Sequence, residues 1–157
     1  MSSARARANH SLYLARILIR AWVTAEAEQA LPQSLLAQAY APGCQSHLVN
    51  AYGWFLLAIG SPDNLPETPP ASVDDLPPVP PGKALPGELR EFSQLEEGGW
   101  LAELLAPLSP VTGAVRARDP RNLAAPAAAG PAPVSFSGWA DELASLFDRM
   151  GDSLDEY

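Results

Sequence analysis

Proline placement constrains this chain more than any other feature. Of its 17 prolines, nine fall between residues 61 and 86 and six between 107 and 134. Proline fixes φ, lacks the amide donor and clashes with the preceding helical turn, so neither helix nor sheet ladder survives such density. The regular structure must therefore lie in what remains, with the Pro-rich connections 61–85 and 107–134 as extended chain packed over the surface or free in solvent. Connections this long in a short chain are either disordered or functional.

The remaining segments carry helical periodicity. Ala8, Leu12, Ala15, Ile19 and Trp22 recur every three or four residues and build one apolar stripe, which predicts a helix over residues 3–31. Leu14, Leu18 and Ala25 widen the stripe, and Pro32 ends this helix or begins the next. Ser34 to Tyr40 can extend helically, but Pro42-Gly43 reads as a break, so the second helix is placed at 44–60. There Leu48, Tyr52, Phe55 and Ile59 form a stripe, and Val49, Trp54, Leu56 and Leu57 fill most of the other faces. A helix apolar nearly all round belongs at the centre of a fold.

A third helix is predicted over 86–106, with Leu89, Phe92, Leu95, Trp100, Leu101, Leu104 and Leu105 as its contacts and Gly98-Gly99 dividing or kinking it. The last helix is predicted over 136–155, capped by Ser135 or Ser137, with Trp139, Leu143, Leu146, Phe147 and Met150 on its apolar face. With no alternating strand pattern, the expectation is an all-α, four-helix bundle-like single domain spanning residues 1–157. Helix one carries four arginines and residues 135–157 carry six acids, so contact between the chain ends would pair opposite charges.

Composition excludes several functions. A net charge of −8 disfavours the phosphate backbone of nucleic acid. No apolar run approaches the roughly 20 residues of a spanning helix; the longest, Val49 to Ile59, contains Asn50 and Gly53. Cys44 has no partner for a disulfide, which fits a reducing compartment and a cytoplasmic location. The Arg-rich, acid-free start resembles an organellar transit peptide, but the Ala-, Pro-, Leu- and Arg-heavy composition is that of a GC-rich bacterium and favours a mature first helix.

Few residues can carry chemistry. Cys44 and His47 share a helical face, the spacing of a thiolate–imidazole pair. Arg5 or Arg7 with His10 is the one arginine–histidine pair comparable to those of small helical-bundle RNases. No phosphate-loop, dinucleotide, zinc-protease or nucleophile-elbow pattern occurs, and no cofactor or metal is expected. Pro78 to Lys83 has the spacing of an SH3-type ligand but reads as a linker.

Three stretches carry a family resemblance. They are Arg7-Ala8-Asn9 through Leu12-Tyr13-Leu14-Ala15-Arg16; His47-Leu48 with Ala51-Tyr52 and Phe55-Leu56; and Leu95-Glu96 followed by Gly99-Trp100-Leu101. In this order they resemble a family of short, all-helical proteobacterial proteins, a domain of unknown function. The Trp139 helix sits where that family's last helix would, and both Pro-rich stretches are longer here. The resemblance implies an all-α cytosolic protein and supplies no activity, ligand or catalytic residue.

The leading reading is thus a non-enzymatic helical protein acting through protein–protein contact or self-association. Trp100 and Trp139, on helices beside the Pro-rich stretches, are its candidate anchors, with Arg16 and Arg20 of helix one as further contact residues. The alternatives are a small hydrolase or RNase using the Arg/His or Cys/His pair, and a peripheral membrane role for the basic first helix.

Overall fold

The computed structural model of the chain describes residues 3–60, 64–76, 87–108 and 131–155. Among them are five helices and no strand: α1 (Ala4–Glu28), α2 (Gln33–Gly60), α3 (Gly87–Gly98), α4 (Trp100–Leu105) and α5 (Pro133–Asp155), with a single 3-10 turn at Val73–Asp75.

The Ser3 side chain caps α1 by accepting a hydrogen bond from the Ala6 amide at 3.1 Å. The helix stops at Glu28 rather than at 31, because Gln29 turns into the left-handed region (φ 52°) and its amide bonds back to the Glu26 carbonyl. Every member of the sequence stripe, from Ala8 to Trp22, is buried.

The largest departure from the sequence-based expectation lies in α2. It starts at Gln33 and runs through Pro42-Gly43 without a break, so the predicted boundary at 44 is wrong by more than ten residues. Pro42 sits on the exposed face, and the hydrogen bond it removes belongs to the carbonyl of Gln38, another exposed residue. Water can satisfy that carbonyl. Meanwhile Leu36, Ala37, Ala41, Cys44, Leu48 and Ala51 keep one buried stripe continuous across the proline.

α2 packs on α1, which buries Ala4, Ala8, Ser11 and Ala15, small side chains that permit a close approach of helices. At Gly43 the approach is close: a Cβ there would stand 2.9 Å from Leu18 Cδ1 of α1. Alanine buries little area itself, but here it sets the helix spacing.

The glycine pair divides the third segment, as one of its two expected outcomes. The Gly99 amide closes α3 on the Leu95 carbonyl at 2.9 Å, and α4 begins at Trp100. Gln45 of α2 donates from Nε2 to the carbonyls of Leu104 (3.1 Å) and Ala106 (2.7 Å), holding the free end of α4.

The last helix begins at Pro133, three residues before the predicted start. Ser135 and Ser137 are inside it and do not cap it; proline, which needs no amide partner, takes its first turn. Two aromatic clusters tie the helices together. Phe55 of α2 stacks on Phe147 of α5 (4.2 Å between ring centres) and meets Phe92 of α3 edge-on. Trp22 of α1 lies between Tyr40 of α2 and Phe136 of α5.

Of the first Pro-rich stretch, residues 64–76 are described and they pack on the helices. Pro69 and Pro70 lie directly on Gly53: a Cβ at that glycine would be 2.1 Å from the Pro70 carbonyl oxygen. A few residues on, the Val73 amide donates to Glu96 Oε1 at 2.9 Å, and Tyr52 Oη donates to the same oxygen. Burial, followed by the hydrogen bond to Glu96 and its charge, pushes the Tyr52 phenol well above the ordinary tyrosine range. The segment is thus a strap over α2, notched at Gly53 and latched on Glu96 of α3.

Replacing Gly53 with alanine should force the strap outward. The helix gains about 1 kcal/mol of propensity, but the clash with backbone costs more, for a net loss of about 1–2 kcal/mol. Limited proteolysis should then cut within 64–76 faster than in the unaltered protein. Unchanged cleavage would show that the strap does not rest on Gly53. The remainder of that stretch (with the Pro78–Lys83 motif) and residues 109–130 lie outside the described residues.

Candidate functional site

Each candidate residue has a definite place. Arg16 pairs with Asp141 of α5 at 3.0 Å, the contact between basic first helix and acidic last helix that the charge distribution anticipates. Both side chains are partly in water, so the pair is worth about 0–1 kcal/mol. Trp139 is half-buried and packs edge-on against Phe136, making it chiefly part of the second aromatic cluster. Trp100 is half-buried at the start of α4, where it lines a groove of about 270 Å³ with Leu95 and Leu146. The Arg149–Glu91 ion pair (2.7 Å) spans α5 and α3 on the same groove.

Arg7 places its guanidinium 4.7 Å from the centre of the Trp54 ring, a cation–π contact, while His10 is exposed and outside both grooves described here. Cys44 is wholly buried in the core, and burial pushes its thiol from an ordinary 9.0 up to about 11. A nucleophilic cysteine needs the opposite shift. Among the described residues no cluster of histidine, cysteine and carboxylates could hold a metal ion.

The raised thiol makes stability pH-dependent in a definite direction. The unfolded chain loses the Cys44 proton near pH 9 while the folded chain retains it to about 11, so stability falls as pH rises through that interval. The expected slope is about 1 kcal/mol per pH unit from this group. Tyr52 adds a fall of the same sign above pH 10. Urea midpoints taken between pH 8 and 10 should decline less steeply in Cys44→Ala. Equal slopes would show that the thiol is not held protonated.

The larger groove lies on the outer face of α1. With the stripe at 8, 12, 15, 19 and 22 turned to the core, helical geometry sends Tyr13, Ile17, Ala21 and Thr24 outward. Tyr13 is 64% and Ile17 45% exposed. Beside them is a concavity of about 430 Å³, formed by Ile17, Ala21, Thr24 and Ala25 of α1 with Tyr40 of α2, and bounded by Arg20 and Glu28. Neither charge has an ion-pair partner among the described residues.

Of the two arginines singled out from the sequence, Arg20 lines this groove and Arg16 pairs with Asp141. Tyr40, Ile17 and Glu28 were not singled out by sequence. Ile17 carried a usable signal, being an apolar residue opposite the main stripe. Tyr40 did not, since its role depends on α2 running through Pro42.

The stripe a membrane-lying helix would use is spent in the core, and no helix among the described residues is long and apolar enough to cross a bilayer. No family model, curated protein or solved structure matches the chain.

Proposed function

We propose that this protein acts through protein–protein contact, with the outer face of α1 as its contact surface. The observation that carries the reading is the pairing of exposed Tyr13 and Ile17, one turn apart, with a mostly apolar groove rimmed by one cation and one anion. Aromatic and branched aliphatic side chains beside a concavity supply the apolar centre of an interface, and rim charges set its register. Trp100, in its own smaller groove, is the secondary candidate. The reading carries with it a four-helix bundle-like domain with two Pro-rich connections, working in the bacterial cytosol as the resemblance to short proteobacterial helical proteins implies.

A photo-crosslinking residue placed at Tyr13 should form adducts in a lysate of the cells that make the protein. The same residue at Gln38, exposed on α2, should form few. Equal labelling from both positions, or none from Tyr13, overturns the proposal.

A further inference from the structure

Resting on that contact reading, we infer that the occupant of the α1 face is a second copy of this chain, docked antiparallel about a twofold axis at Thr24. The face is self-complementary in charge. Arg20 and Glu28 stand four residues to either side of Thr24, one helical turn or about 6 Å each way. Both project to the exposed side, both bound the same groove, and neither is paired among the described residues.

A twofold axis at Thr24 reverses the second helix, so residue height above the axis becomes height below it. Arg20 then faces the partner's Glu28, and Glu28 faces the partner's Arg20, with both pairs made by one operation. A helix running the same way would instead set Arg20 against arginine and Glu28 against glutamate.

The side chains between the charges suit close approach. Thr24 is compact, and its hydroxyl already donates to the Arg20 carbonyl at 3.0 Å, so that donor needs no partner across the seam. Ala21 and Ala25 add no bulk. Ile17, about 10 Å from the axis, reaches past the partner's Glu28 to the interhelical turn, where Leu31 is 53% exposed. The seam would thus have small residues at its middle, two crossed ion pairs one turn out, and an isoleucine–leucine contact at each end.

Sedimentation velocity of the full chain over about 1 to 300 μM, the range of modest helix–helix affinities, should show reversible dimerisation. Arg20→Glu and Glu28→Arg should each raise the dimer Kd about 10-fold by setting like charges face to face. The double exchange should bring it back to within about 3-fold of the unaltered protein. Far-ultraviolet circular dichroism should be the same for all four. In an independent arm, Thr24→Cys should oxidise to a disulfide-linked dimer faster than Gln38→Cys, with native Cys44 silent because it is buried.

A chain that stays monomeric throughout the range overturns the inference. So does a dimer whose charge exchange brings no recovery, since its axis then lies elsewhere. If the chain is monomeric while Tyr13 still labels a different protein, the contact reading stands and only the second copy fails.

Discussion

Replacing Phe55 with alanine should lower the unfolding free energy by about 3–5 kcal/mol, the range for a fully buried phenylalanine. The ring occupies the junction of three helices, stacked on Phe147 at 4.2 Å and edge-on to Phe92 at 6.2 Å. Its removal therefore forfeits aromatic contacts to both α5 and α3 as well as its own transfer from water. A chain of this size holds only about 5–15 kcal/mol in total, so a large share of the stability would go. Urea denaturation is the measurement: the midpoint should fall sharply with little change in slope. Tyr13→Ala, 64% exposed on α1, should stay within about 0.5 kcal/mol and serves as the control. A loss below about 1 kcal/mol at Phe55 would mean that α3 and α5 do not close over α2.

The contrast between these two aromatics shows which features were legible in the sequence. Phe55 lies in a run of dense apolar periodicity, and Leu48, Tyr52 and Phe55 are all buried as that period demands. The α1 stripe was legible for the same reason, since a 3.6-residue apolar repeat sustained from Ala8 to Trp22 matches the turn of a helix and not the alternation of a strand. Helix ends were less so. Local chemistry at Ser135 and Ser137 pointed to a cap, yet Pro133 starts α5 and brings Phe136, which the apolar pattern had omitted, into the core between Trp22 and Trp139.

Much of the surface was legible only in fragments. Arg16 and Arg20 share a side of α1 in sequence, but pairing with Asp141 depends on where α5 lies, and that removes one of them from the groove. The tryptophans divide as the apolar pattern directs: Trp22 and Trp54 are buried, and Trp100 and Trp139 are half-buried. The strap was legible only as one of two alternatives, since proline density predicts extended chain either packed over the surface or free in solvent and does not say where it seats. Gly53 reads as a weak point inside a helix, and its use as the seat of Pro69 and Pro70 arises only when a distant segment crosses α2 there. Glu96 beside Glu97 looks like a solvated pair until the Val73 amide and the Tyr52 hydroxyl converge on it.

Pro42 is where local rule and tertiary packing oppose each other most directly, and Pro42→Ala should raise stability by about 1–3 kcal/mol. A proline inside a helix costs about 3 kcal/mol relative to alanine, through a lost hydrogen bond and a clash with the preceding turn. Here the missing bond falls on the solvent face, so part of that cost is already relieved by water at the Gln38 carbonyl. Burial of Leu36, Ala37 and Ala41 in the core offsets the rest and holds the helix continuous. Alanine would restore the amide donor without adding a group to the core, since position 42 is exposed. The urea midpoint should rise with its slope unchanged, and the Tyr40 side of the α1 groove should become slower to exchange amide hydrogens. If the chain instead broke at Pro42-Gly43, as the dipeptide alone directs, the proline would be serving a turn. Its replacement would then destabilise the protein, and both the continuity of α2 and the Tyr40 wall of the groove would be refuted together.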